Sequence, residues 1–197
     1  MKRLAVLISG GGSNLQALID ATAAGTLAAE IALVISNRTE ALGLERARRA
    51  GIATLVLPLQ PWLADGQTRT YYDVNVAKKI AAAGADLVVL AGWMHILGPG
   101  FLSRLVMPII NLHPALPGMF PGNRAIERAL EAFGRGEIAH TGVMVHRVVP
   151  EIDAGPVLGT APVPIEPGDD IATLSTRMHA AEHKLLVDVV RGLLANG

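Results

Sequence analysis

The sequence contains no cysteine. That absence removes disulfides, thiol nucleophiles and zinc–thiolate centres together, and it suits a reducing compartment, so a cytoplasmic location is expected. An excess of one charge is also lacking: 17 Lys and Arg balance 17 Asp and Glu, and charged residues make up only 17% of the chain. Nothing basic recruits nucleic acid, and no long charge run marks a solvated tail. A single acidic ligand remains compatible, because one local site suffices to hold it. No apolar run approaches the roughly 18 residues of a membrane helix, so no membrane partner is expected. The opening Met1-Lys2-Arg3 followed by an apolar stretch has the outline of a signal peptide. The stretch is short and runs into glycines instead of a cleavage site, so a buried first strand explains it better.

What the chain does have is apolar residues, 51% of 197, enough for a substantial core in a single domain spanning 1–197. Short Val-, Ile- and Leu-rich runs at 4–9, 31–36, 54–57 and 85–90 read as strands buried on both faces. Helical patterns at 14–23, 41–50 and 70–83 separate them. The alternation predicts an α/β fold with a mostly parallel sheet and helices on both faces. Further strands are expected at 108–113, 139–149 and 156–164, helices at 124–133 and 169–194, and a loop at 114–122, which holds three prolines and two glycines. Asp169 or Asp170 stands where the last helix needs its cap.

Ser9-Gly10-Gly11-Gly12-Ser13-Asn14 joins a strand to a helix. Glycines let backbone N–H groups approach an anion, and a helix start favours negative charge, so the loop suits a phosphate. A dinucleotide fingerprint would need glycine where Leu15 stands, and the Gly-Lys-Ser/Thr ending of a nucleoside-triphosphate loop is missing. A plain strand-to-helix turn capped by Ser13 or Asn14 is the competing reading.

Asn111-Leu112-His113-Pro114 sits where a strand gives way to the proline-rich loop. Residues two apart on a strand face one side, so Asn111 and His113 are aimed together. A carboxamide can donate to a developing oxyanion and an imidazole can move a proton near neutral pH, a pairing that suits acyl chemistry. Asp153, in the turn Pro150-Glu151-Ile152-Asp153-Ala154-Gly155, is expected to raise the pKa of His113 if it lies beside it. His140 and His146 fall an even number apart on one strand and read as structural histidines. No metal site is expected, since neither a helical His-x-x-x-His nor a second carboxylate cluster accompanies them.

Asn-x-His-Pro followed by Asp-x-Gly-Pro, with the opening block Leu7–Ala17 and a second block Val88–Leu97, resembles the folate-dependent formyltransferases over nearly the whole chain. The resemblance implies a Rossmann-like fold, with residues 1–105 as a phosphate-binding half and 106–197 as a catalytic and folate-binding half. Within that family, the length is similar to the branch that acts on glycinamide ribonucleotide (GAR). Members with an added nucleic-acid-binding or regulatory domain look longer.

The activity so implied is transfer of a formyl group from 10-formyltetrahydrofolate, a co-substrate, to the GAR amine in de novo purine biosynthesis, with no metal. Gly12, Ser13 and Asn14 would hold the GAR phosphate and Glu182 the ribose hydroxyls. Arg69, the backbone of Met94, His95, Ile96 and Leu97, and the turn Val149, Pro150, Glu151, Ile152 and Asp153 would bind folate together with Asn111. His113 would donate the proton, Asn111 would hold the oxyanion and Asp153 would tune His113. The implied partners are small molecules, and the protein would be a monomer or homodimer.

The chain departs from the family pattern at His95, where arginine is common, and at Ala115-Leu116-Pro117-Gly118 and Asn123–Arg128. Three other readings stay open: formyl transfer to another amine, hydrolysis of the folate, and a nucleotide-binding module without catalysis.

Overall fold

Lys2–Ile8 form strand β1, and Leu4 to Ile8 are completely buried. Five consecutive apolar side chains with no polar alternation leave neither face of the strand in water, which is the requirement of a central parallel strand. Each of the Leu, Val and Ile side chains contributes about 1.5–3 kcal/mol of burial. The structure, a computed structural model, describes residues 1–195. It adds α1 (Ser13–Ala23), β2 (Ala29–Ser36), α2 (Leu42–Arg49), β3 (Thr54–Val56), α3 (Leu59–Ala64), α4 (Arg69–Ala82), β4 (Leu87–Leu90), α5 (Pro99–Leu102) and β5 (Ile109–His113). The remainder is α6 (Ala125–Gly134), β6 (His140–Arg147), β7 (Val157–Pro164) and α7 (Ile171–Ala195).

The strands form a seven-stranded mixed sheet in the order β3-β2-β1-β4-β5-β6-β7. β1 pairs in parallel with β2 and β4, β2 pairs in parallel with β3, and β6 pairs antiparallel with β7. The fold is thus the expected α/β arrangement. Contacts divide the chain into two compact units, Met1–Ile110 and Asn111–Gly197.

In the first unit the chain steps from β1 outward to β2 and β3, then returns to place β4 on the other side of β1. Right-handed crossovers put the helices of the outward and return paths on opposite faces. The reversal makes the carboxyl end of β1 a topological switch point, where open α/β sheets bind ligands.

In the second unit, Val143, Val163, Ile165, Leu174 and Met178 form an apolar core with Ala129. Asp170 caps α7 in a reciprocal pair: its Oδ1 accepts from the Thr173 N–H at 2.8 Å, and its own N–H donates to Thr173 Oγ1 at 3.0 Å. Pro162 and Pro164 lie within β7, opposite Gly142 and His140.

Two helices were not anticipated. Pro58 and Pro61 disguise α3, yet Pro61 falls in the first turn, where an N–H has no helical acceptor and its loss is harmless. α5 is a single turn opened by Pro99, too short to show a period. The sixth strand stops at Arg147 instead of 149, because the chain turns there toward Asp153.

Candidate active site

Gly12 caps α1 in the left-handed conformation, φ 71°. A Cβ there would lie 2.5 Å from Gly43 Cα, so both backbone conformation and space demand glycine. Ser13 and Asn14 open α1, whose first N–H groups have no helical acceptors. The loop is tied to the end of β4: Ser9, buried, accepts from the Met94 N–H on its Oγ at 2.8 Å.

After β4 the chain runs through Trp93, Met94, His95, Ile96 and Leu97. Met94 and Ile96 are 57% and 63% exposed, an apolar surface offered to solvent. Trp93 Nε1 and His95 Nδ1 are buried without a hydrogen-bond partner, a costly state that a polar ligand would relieve. Burial, followed by the Arg69 charge, holds His95 below the ordinary histidine range.

Arg69, at the start of α4, reaches this segment directly. Its guanidinium donates to the Ile96 carbonyl, and its Nε donates to Asp73 Oδ1 at 2.9 Å. The other Asp73 oxygen accepts from the Gly98 N–H at 3.1 Å. Asp73 is buried and organises the whole segment, yet it was not singled out from the sequence. Its spacing from Arg69 (i, i+4 on a helix) was the available signal.

The second unit brings Asn111, His113 and Asp153 together. His113 Nδ1 lies 3.3 Å from Asp153 Oδ2, and Asn111 Nδ2 donates to Asp153 Oδ1 at 3.2 Å. The carboxylate also accepts from the Gly122 N–H at 2.8 Å. His113 Nε2 faces the Phe120 carbonyl at 3.1 Å, and the residue is only 3% exposed. Asp153 has φ 51°, a left-handed conformation that Asp tolerates better than most residues.

One further residue joins the group. His146, at the end of β6, lies 3.2 Å from Asn111 Nδ2 and 3.5 Å from Asp153 Oδ1. Its Nδ1 faces the Arg147 carbonyl at 2.9 Å, an acceptor only, so in the neutral ring Nδ1 carries the proton and Nε2 accepts from Asn111. Read from sequence as structural, His146 is part of the cluster; its place immediately before the turn bearing Asp153 was the signal. His140, its strand mate, is exposed. His140 is the first residue of β6 and His146 lies near its other end, so even spacing did not give the two residues equivalent settings.

Asp153 pulls the pKa of His113 upward, as expected, but it does not set the net shift. Burial lowers it, and the opposing Asp153 charge and Phe120 carbonyl do not make up the difference, so His113 stays below the ordinary value. The Asp153 carboxyl is pushed up by burial, but the facing His146 ring, the hydrogen bond from the Gly122 N–H and the neighbouring His113 bring it below its ordinary value. The pair is therefore a neutral imidazole against a carboxylate near pH 7.

Val149, Pro150, Glu151 and Ile152 form the turn that leads to Asp153, and Ile152 is half exposed. Glu182 lies on α7 and is 5% exposed, not on a solvated helix face. Among the described residues no group of three or more His, Cys, Asp or Glu is arranged to hold a metal ion.

A family described as "Formyl transferase" matches residues 2–190. The chain belongs to the formyl transferase family. It is 47% identical to the phosphoribosylglycinamide formyltransferase of Dictyostelium discoideum, over 95% of this chain and 96% of that protein. It is 49% identical to the Schizosaccharomyces pombe protein of the same name, over 98% and 97%. Among solved structures, glycinamide ribonucleotide transformylase 1 from Symbiobacterium toebii superposes with a TM-score of 0.92 at 38% identity, covering all of this chain and 89% of that one.

Proposed function

We propose that this chain transfers the formyl group of 10-formyltetrahydrofolate to the amine of GAR, a step of de novo purine biosynthesis. The observation that carries the reading is the Asn111–His113–Asp153 cluster around a buried imidazole, a set suited to acyl transfer in a chain of this family.

The acceptor amine attacks the formyl carbon, and the formyl oxygen takes up negative charge. Asn111 donates to that oxygen. Its amide nitrogen faces Asp153 and His146 in this structure, so a contact is exchanged as the charge develops. His113, neutral at the outset, takes the amine proton and delivers it to the departing folate nitrogen. Its lowered pKa makes the protonated ring a stronger acid than free imidazole. Asp153 orients the ring and offsets its transient charge. No covalent enzyme intermediate and no metal ion enters these steps.

In this reading Gly12, Ser13 and Asn14 hold the acceptor's phosphate and Glu182 its ribose hydroxyls. The pterin lies against Met94 to Leu97, held by Arg69 and the turn Val149 to Asp153. The exposed Met94 and Ile96 and the unpartnered nitrogens of Trp93 and His95 support this, since a flat polar heterocycle needs apolar faces and hydrogen-bond partners at its edge.

The test follows folate turnover by absorbance with GAR, without GAR, and with His113→Ala. Turnover that needs GAR and falls about 100-fold or more in the variant is expected, the size of a general acid–base contribution. Turnover independent of GAR would mean hydrolysis, and turnover only with other amines would reassign the acceptor.

A further inference from the structure

The glycine loop does not hold its shape alone. Helix α2 fastens it at two consecutive peptides. The Gly43 N–H donates to the Gly10 carbonyl at 3.0 Å, and Arg46 Nε donates to the Gly11 carbonyl at 2.9 Å. A trans peptide holds its C=O and N–H on opposite sides. Drawing the Gly10 and Gly11 carbonyls toward α2 therefore turns the N–H groups of Gly11 and Gly12 away from it, side by side. Paired N–H groups beside a helix start are what an anion requires.

Arg46 also joins the loop to the helix that follows. Its guanidinium donates to Gln16 Oε1 at 3.2 Å, and the Gln16 N–H donates to the Gly12 carbonyl at 2.9 Å. Close approach is built into the backbone on both sides. A Cβ on Gly43 would lie 2.5 Å from Ile8 Cδ1 and 3.1 Å from Gly12 Cα. Neither Gly43 nor Arg46 belongs to the glycine loop; both stand on α2.

We propose that Arg46, seated by Gly43, is a positioning residue that presets the Gly10–Asn14 loop for the acceptor's phosphate and thereby sets the preference for a phosphorylated acceptor. The proposal rests on the phosphate-loop reading given above. Arg46 acts through the Gly11 carbonyl and through the N–H groups this turns outward. Its loss weakens acceptor binding without touching the chemical step.

The experiment compares GAR with its dephosphorylated riboside as acceptors, in the wild type, Arg46→Gln and Arg46→Lys, with thermal midpoints recorded for each. For GAR, Arg46→Gln is expected to raise KM about tenfold, the size of one hydrogen bond from a charged group, with kcat and the folate KM little changed. The riboside kcat/KM should not move, and the lysine variant should recover part of the loss. Equal losses for GAR and riboside would make Arg46 a merely structural residue and overturn the proposal. An unchanged GAR KM in the glutamine variant would overturn it too, while leaving the phosphate reading intact if the wild type still prefers GAR. A wild type that does not distinguish GAR from its riboside would bring down the phosphate reading and this inference with it.

Discussion

At the scale of single residues, the most consequential property is that His113 is kept neutral. Its pKa in the folded protein lies below the ordinary imidazole value of about 6.5. Between those two values the unfolded chain binds a proton that the folded chain does not. Stability contributed by the neutral ring is therefore complete above about pH 6.5 and is lost as the pH falls toward the folded value, at no more than about 1.4 kcal/mol per pH unit. Denaturant unfolding of wild type and His113→Asn from pH 7.5 to 5 should show the wild type losing stability faster; parallel curves would show that the ring is not held neutral.

The residues to which the proposal gives the chemistry were legible as types and positions: Asn111, His113 and Asp153 lie together. The balance between burial and charge at His113 was not legible. It depends on how far the chain covers the ring, including the Phe120 carbonyl, and no local pattern records that. His146 escaped for a related reason. Its setting arises from the distance to a turn residue, which parity along β6 does not record.

At the scale of elements, the turn between β6 and β7 matters most, because it carries Asp153 on a left-handed backbone. Gly155 makes that turn possible: a Cβ there would lie 1.8 Å from the Arg147 carbonyl oxygen. Gly155→Ala should destabilise the fold by about 1–3 kcal/mol, as forced overpacking does, and should lower kcat by shifting Asp153. Gly134→Ala, where an added methyl meets nothing within 4 Å, serves as the control in the same unfolding and turnover measurements. A Gly155 variant indistinguishable from that control would refute the argument.

The strands and long helices stood out in sequence because buried runs and helical periods extend over many residues. Helices α3 and α5 are four to six residues long and start at or near prolines, so they had no period to display. The segment organised by Asp73 was hidden for a different reason: its defining contact joins residues 25 apart, Asp73 and Gly98.

For the whole molecule, the lack of cysteine has a direct test. Iodoacetamide or N-ethylmaleimide should leave turnover unchanged, and reductants should not alter the unfolding midpoint, because no thiol exists to react. Inactivation under mild alkylation would point instead to another nucleophile in the site. The α/β class followed from the order of patterns along the chain, and the reversal at β1 gives the glycine loop its place at a switch point.

The prolines of β7 bear on how the protein behaves in company. β7 ends the sheet, and Pro162 and Pro164, of like parity, have no N–H to offer a neighbour. At the opposite margin, β3 is only three residues long. A crowded solution brings many copies edge to edge, and continuous edge strands invite them to join into fibres. Here one margin has gaps in its donor row and the other is too short to template a partner. Both margins thus work against growth of the sheet from molecule to molecule.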